Sequence, residues 1–392
     1  MDTHKLLSGE DRALGAPLLR ALLTPLAGLH WLGLKLYLLP YRLGLRKRYC
    51  LPVPVISIGN LTSGGTGKTP MAALVGQLLR EQGLRVVLLS RGHGGSHEKG
   101  KGAQIVSRGE GQVLLSAEIA GDEPTLLARL LPDIPVIVGR DRRVSGKLAC
   151  ETFAPDVVLL DDALQFWQLH RDLDIVLLDT RRPFDTGWLL PRGLLREPPS
   201  HLSRAGIIVL TRADRVSEAQ REQQRQHLQR LAPQAAVFTA IHAPLGWIAP
   251  EQEALLPLDS LAGQSVVAFS GIADGAAFVY TLKQLGLTLK FSREFSDHHT
   301  YNKKETFSLI EQAPDALFVT TEKDLTKLAT LWPSSGPALR ALRIGMILDN
   351  QEAFEQSLKN LHGRTRNPNQ TISSTSDNQR PSPPLFPGGG TR

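Results

Sequence analysis

Residues 62–69 read TSGGTGKT, a stretch suited to holding phosphate. Thr62, Ser63, Gly64, Gly65, Thr66 and Gly67 form a glycine-dense loop. Its successive backbone N–H groups can turn inward onto phosphate oxygens. Lys68 is long enough to reach the β- and γ-phosphates of a nucleoside triphosphate, and the Thr69 hydroxyl is placed to ligate Mg²⁺. The usual P-loop spacing wants glycine where Thr62 stands, so G-x-x-x-x-G-K-T fails by one residue while G-G-x-G-K-T is intact. A second chemical set lies at 156–162, DVVLLDD. An apolar strand ending in two acids downstream of a P-loop is the Walker-B arrangement, in which Asp161 or Asp162 holds Mg²⁺ directly or through water. A third pair is Asp122 and Glu123 in GDEP, ahead of an apolar helical stretch. Two carboxylates there commonly cap a helix. They are equally placed for catalysis if that helix faces the P-loop.

These groups need strands to aim them. Residues 53–58 (VPVISI) read as a buried strand into the P-loop, and the apolar pattern at 71–79 as the helix out of it. Further short buried-type strands fall at 85–90, 135–138, 156–160, 174–178 and 206–210, with helical stretches between them. That alternation predicts an α/β fold: a P-loop NTPase-like, mostly parallel sheet with helices on both faces. Ligands would then sit at the carboxyl ends of the strands. Glycines after the second strand, in RGHGG (91–95), suit close approach to a ligand. The pattern resets near Pro233, and strands at 264–270, 290–295 and 317–320 predict a smaller second α/β unit. There, Asp297, His298 and His299 have no third ligand spaced nearby. A histidine orienting a carboxylate is the stronger reading than a metal cage.

The expected organisation is an N-terminal segment at 1–49, a P-loop core at 50–240, the smaller domain at 241–362 and a disordered tail at 363–392. The 392 residues carry a formal net charge of +7, with the basic residues clustered. Such clusters fit an anionic partner. Cys50 and Cys150 lie far apart and form no CxxC, which fits a reducing compartment with no disulfide framework and no thiolate metal site. Residues 13–49 are leucine-rich but interrupted by Arg20, His30, Lys35 and three prolines, and they run into Arg42, Arg46, Lys47 and Arg48. With no uninterrupted apolar run of about 18 residues, a helix in the membrane interface is expected rather than one crossing the bilayer.

Taken in order, PVPVISIGNLTSGGTGKTP, SRGHGG, GDEP, DDALQ, LLPRGLLREP, FSDHHTY and TEKDLTKL resemble the tetraacyldisaccharide 4′-kinase family over roughly residues 21–361. The resemblance implies transfer of the ATP γ-phosphate to the 4′-hydroxyl of a tetraacylated glucosamine disaccharide 1-phosphate, giving lipid IVA, with Mg²⁺ as cofactor. It implies a peripheral enzyme on the cytoplasmic face of the bacterial inner membrane. Its partners are the lipid and the membrane surface, with no nucleic acid, and a monomer is expected. By the same likeness Asp122 is the general base and His298 its partner in a dyad. Asp161 and Asp162 are the Walker-B acids. Arg196 and Glu197 stand near nucleotide and metal. The chain departs from the family pattern at His93, Ala163, Arg192 and Leu194. The competing reading is a P-loop GTPase or metal-insertion chaperone, because TRAD at 211–214 loosely resembles a guanine-reading motif. A nucleotide-binding scaffold without chemistry is the third.

Overall fold

The computed structural model describes residues 3–9, 15–100, 102–250, 252–328 and 331–359. The expected tail at 363–392 lies outside them. Three helices open the chain: α1 (Thr3–Ser8), α2 (Ala16–Leu22) and α3 (Thr24–Arg42). The nucleotide half follows as β1 (Val55–Asn60), α4 (Lys68–Glu81), β2 (Val86–Ser90), β3 (Gln104–Arg108), α5 (Ala117–Ala120), α6 (Asp122–Leu130), β4 (Pro135–Val138) and α7 (Arg142–Phe153). It continues with β5 (Val157–Asp161), β6 (Leu173–Asp179), β7 (Ile207–Thr211) and α8 (Glu218–Leu231). Then come β8 (Ala236–Ala249), β9 (Gln252–Leu256), β10 (Ser265–Ser270), α9 (Gly275–Gln284), β11 (Thr288–Glu294) and α10 (Lys303–Glu311). The last elements are β12 (Leu317–Thr321), α11 (Glu322–Leu328), β13 (Leu339–Leu348) and α12 (Gln351–Lys359).

All the strands join one sheet, ordered β11-β10-β12-β13-β8-β7-β6-β1-β5-β2-β4-β3, with β9 added beside β8. β1 sits centrally, parallel to β5 on one side and β6 on the other. Its six residues are all buried, as a strand covered on both faces requires. That register carries the P-loop and the Asp161–Asp162 pair to the same edge of the sheet. The two predicted α/β units are therefore joined by hydrogen bonds rather than by a linker. β8 runs parallel to β7 along its first residues and antiparallel to β13 along the rest. The expected boundary at 240 falls inside it. The reading of a reset near Pro233 missed this strand because APLG at 243–246 looks like a turn. Here Pro244 and Gly246 sit at a register shift against Arg343 and Ile344, where a proline costs no ladder hydrogen bond. The last helix also crosses back. Phe354 and Leu358 of α12 pack into the core of the nucleotide half with Ile58, Met71 and Phe238.

The prolines of the N-terminal stretch interrupt less than their number suggests. Pro17 and Pro25 occupy the first turns of α2 and α3, where a missing N–H is harmless, and only Pro40 lies inside a helix. Residues 16–42 are long and apolar enough to cross a membrane by length and composition. Only a narrow stripe of α3, including Ala27 and Leu38, is buried. Leu26, Leu29, Trp31, Leu32, Leu36 and Leu39 all face outward.

Candidate active site

Asn60, the last residue of β1, organises the P-loop. Its amide donates to Thr66 Oγ1 at 3.0 Å and to the Gly64 carbonyl at 3.4 Å, and its carbonyl oxygen accepts from Lys68 Nζ at 3.4 Å. Behind the loop, Ser63 N–H donates to the Leu194 carbonyl and Arg196 N–H to the Leu61 carbonyl, each at 2.7 Å. Thr62 forms an antiparallel bridge with Leu195. It is not among the positive-φ residues, so the slot where a glycine was wanted needs none, and Thr62 backs the cradle without lining it. Gly67 does need to be glycine. Its φ is +89°, and a Cβ there would run into the His242 ring. Burial and the Arg212 cation lower His242 to about 4, so a neutral ring lies against the loop.

Ser63, Gly64, Gly65, Thr66, Gly67, Lys68 and Thr69 line a cavity of about 780 Å³ between the two halves of the sheet. Asp161 and Asp162 lie on its floor and have opposite situations. Asp161 is 1% exposed. Its Oδ2 accepts from Ser90 Oγ at 3.3 Å, while its Oδ1 has no partner among the described residues. Burial, with Glu123 and Asp162 nearby, pushes Asp161 up to about 7. An orphaned carboxylate oxygen and the Thr69 hydroxyl, lining one cavity, are the hard-oxygen donors Mg²⁺ takes, so the residues fit that ion. Asp162 accepts from Arg196 at 2.9 Å and lies 3.9 Å from Lys68. Burial opposes its charge, but Lys68 and Arg196 outweigh it and hold Asp162 below the usual carboxylate range.

Glu197, expected at the metal, is not brought there. It is fully buried, grips Arg204 through both oxygens and accepts from His201 at 2.6 Å. Burial works against its charge, yet His201 and Arg204 hold it down at about 2. It does not line the cavity, and with both oxygens engaged the residue anchors the segment that carries Arg196.

Asp122 begins α6 but does not cap it: the helix has no side-chain cap, and Gly121 is the N-cap residue. The carboxylate instead reaches across the cleft. Its Oδ2 lies 3.2 Å from His298 Nδ1 and 2.8 Å from Lys327 Nζ. Burial disfavours the charge, but the hydrogen bonds from His298 and Lys327, with Lys323 close by, keep Asp122 below its ordinary value. It is thus ionised at neutral pH, the state a general base needs.

Several lining residues carried no assigned role in the sequence reading. Arg142 is buried at the start of α7 and faces the cavity. Burial and Arg91 lower it to about 10, still a cation at neutral pH. His93, noted as a departure from the family pattern, packs edge-on against His298 at 5.8 Å between ring centres. Lys323 and Lys327 stand four apart on α11, a spacing visible in TEKDLTKL. TRAD braces the P-loop: Arg212 donates to Asp179 and, at 2.9 Å, to the Gly65 carbonyl. Its guanidinium is spent on that brace.

A carboxylate held charged across the cleft from a phosphate cradle suits an enzyme that takes a proton from an acceptor. Fold and site together define a P-loop kinase whose acceptor is a hydroxyl. The family model for tetraacyldisaccharide-1-P 4′-kinase matches residues 19–362. Curated proteins named tetraacyldisaccharide 4′-kinase are similar throughout. One from Desulfatibacillum aliphaticivorans is 39% identical, covering 90% of this chain and 95% of its own. One from Pelobacter propionicus is 40% identical, covering 91% and 96%. Among solved structures, LpxK from Aquifex aeolicus in complex with ATP is 34% identical, with a TM-score of 0.71, covering 88% of this chain and 99% of that one. The chain belongs to the tetraacyldisaccharide 4′-kinase family.

Proposed function

We propose that this chain transfers the γ-phosphate of ATP to the 4′-hydroxyl of a tetraacylated glucosamine disaccharide 1-phosphate, a step of lipid A biosynthesis, with Asp122 as the base. One observation carries the residue-level reading: Asp122 of the P-loop half meets His298 of the other half at 3.2 Å, beside the phosphate cradle. The glycine loop and α4 N-terminus hold the phosphates, and Lys68 and Arg142 offset charge on the transferring group. Asp162 keeps Lys68 and Arg196 aimed. Thr69 and Asp161 would hold Mg²⁺, which when bound neutralises phosphate charge. Asp122 takes the proton of the 4′-hydroxyl as that oxygen bonds to phosphorus, and ADP leaves with the electrons of the broken bond. The test is a mass-resolved assay with ATP and the monophosphorylated disaccharide lipid. A gain of one phosphate on the non-reducing sugar is expected; ATP consumption with unchanged lipid mass would refute the reading.

The outward leucines of α3 and the basic run at 46–48 support a peripheral site of action on an anionic bilayer. The helix is strapped to the catalytic body along its length, which favours lying in the interface over crossing. Thr24 Oγ1 accepts from Arg192 at 2.9 Å, the His30 ring meets the Arg196 carbonyl at 3.2 Å, and Arg42 meets His201 at 3.3 Å. A chain lacking residues 1–46 is expected in the soluble fraction, and one replacing Leu29, Leu32 and Leu36 with serine partly so. Sedimentation with anionic vesicles measures both. Unchanged pelleting of the shortened chain would place the anchor elsewhere.

A further inference from the structure

Two lysines on α11 lie against the base and its histidine. Lys323 and Lys327 lie four residues apart and so share one side of the helix. Asp324, between them in sequence, is consumed by structure. It accepts from Gly271 N–H at 3.0 Å and from the Tyr301 hydroxyl at 3.1 Å. Lys327 is 9% exposed, sits 2.8 Å from Asp122 Oδ2 and donates to the His299 carbonyl at 2.9 Å. Lys323 lies 3.3 Å from His298 Nε2 and 3.7 Å from Asp297.

Donor counting assigns the protons. An ammonium group only donates, so His298 Nε2 must accept from Lys323. The ring proton then sits on Nδ1, where it is donated to Asp122 Oδ2. That oxygen also receives Lys327, so both its contacts are donors. Among the described residues both contacts of the carboxylate fall on Oδ2, which leaves the lone pairs of Oδ1 for another proton. We propose that Lys327 and Lys323 are positioning residues for the base: Lys327 pins Asp122 Oδ2, Lys323 sets the tautomer of His298, and Asp122 Oδ1 is the oxygen that takes the acceptor proton. In the step, the hydroxyl O–H bond breaks and an Oδ1–H bond forms. The acceptor oxygen bonds to the γ-phosphorus while the bond from that phosphorus to the bridging oxygen breaks, its electrons leaving with ADP. The inference rests on Asp122 being the base.

The charged and titratable groups facing Asp122 come from three sides. Glu123 is on its own helix, Lys323 and Lys327 are on α11, and His298, Asp297 and Tyr301 come from the segment before α10, with His93 against His298. Lys327→Met removes the cation in direct contact. It raises the affinity of Asp122 for a proton, so the acidic limb of the kcat/KM profile should move to higher pH. At neutral pH kcat should fall about 10- to 100-fold while KM for ATP is unchanged, since the cradle is untouched. Lys323→Met should leave the acid limb nearer its wild-type position. Its signature is spectroscopic: in ¹⁵N-histidine-labelled protein, the His298 ring should change from Nδ1-protonated to a mixture of tautomers. Lys323 is more exposed than Lys327, at 18%, so this variant carries the test if Lys327→Met fails to fold. Folded variants with an unmoved acid limb and an unmoved tautomer would overturn the lysine assignment. Asp122→Asn separates the two levels: if it retains activity, the base reading itself falls, whereas if it is inactive and the lysine variants show no change, only the present inference does.

Discussion

Lys68→Ala lowers kcat by at least about 10³-fold while the protein stays folded. The loss is large because phosphoryl transfer asks little of the enzyme except positioning and charge, and Lys68 is the cation aimed from within the loop. Its side chain is 10% exposed and stretched between the Asn60 carbonyl oxygen and Asp162. The fold tolerates the change because Asp162 retains Arg196 at 2.9 Å and the Asn60 amide still ties Thr66 and Gly64. Thermal melting and single-turnover phosphorylation of the lipid, measured on one preparation, check both halves of the claim. A folded variant with near-normal turnover would reduce the loop to a glycine turn.

Asp122→Ala costs about 10²- to 10⁴-fold in kcat, the range for a positioned general base. His298→Ala costs less, because Lys327 still holds the carboxylate. The double variant is little worse than Asp122→Ala alone, since a histidine that acts through a carboxylate has nothing to orient once it is gone. Residues in direct contact commonly show interaction energies of about 0.5–3 kcal/mol in such cycles. ATP affinity survives in all three, neither residue being part of the cradle. If the two losses multiply as independent factors, His298 acts on something other than Asp122. A cap at Asp122 would instead predict lost melting temperature with unchanged kcat per folded molecule. The absence of a capping hydrogen bond at α6 already weighs against that outcome.

How much of this was legible follows from where the chemistry sits. The P-loop, Asp161, Asp162 and Asp122 lie at ends of short apolar strands or at helix starts, and His298 follows a strand within a few residues. A local pattern therefore finds them, and the order of the motifs supplies the family. What no local pattern shows is which side chain neutralises which. Glu197 and Asp161 are both buried acids near apolar runs, but Glu197 is matched by Arg204 and His201 whereas Asp161 Oδ1 is matched by nothing among the described residues. That difference depends on partners contributed by other parts of the fold. The pairing of β8 with β13, about 100 residues further on, hid the continuity of the sheet for the same reason. A proline and a glycine at a bulge look like a loop until the opposing strand is known.

The return of α12 to the nucleotide half bears on how the chain is made. Phe354 stacks edge-on against Phe238 at 5.3 Å, inside the same core as the strand that leads into the P-loop. About 300 residues separate that strand from α12. A ribosome adding about 5–20 residues per second therefore leaves this core open to solvent for on the order of 15 seconds or more after β1 emerges. Through that interval β7 also has an unpaired edge until β8 is synthesised, and the second half of β8 waits longer still for β13. The nascent nucleotide site is thus a late product of translation, exposed to the chaperones that bind open apolar surface. Chains halted before α12 should be the ones that aggregate.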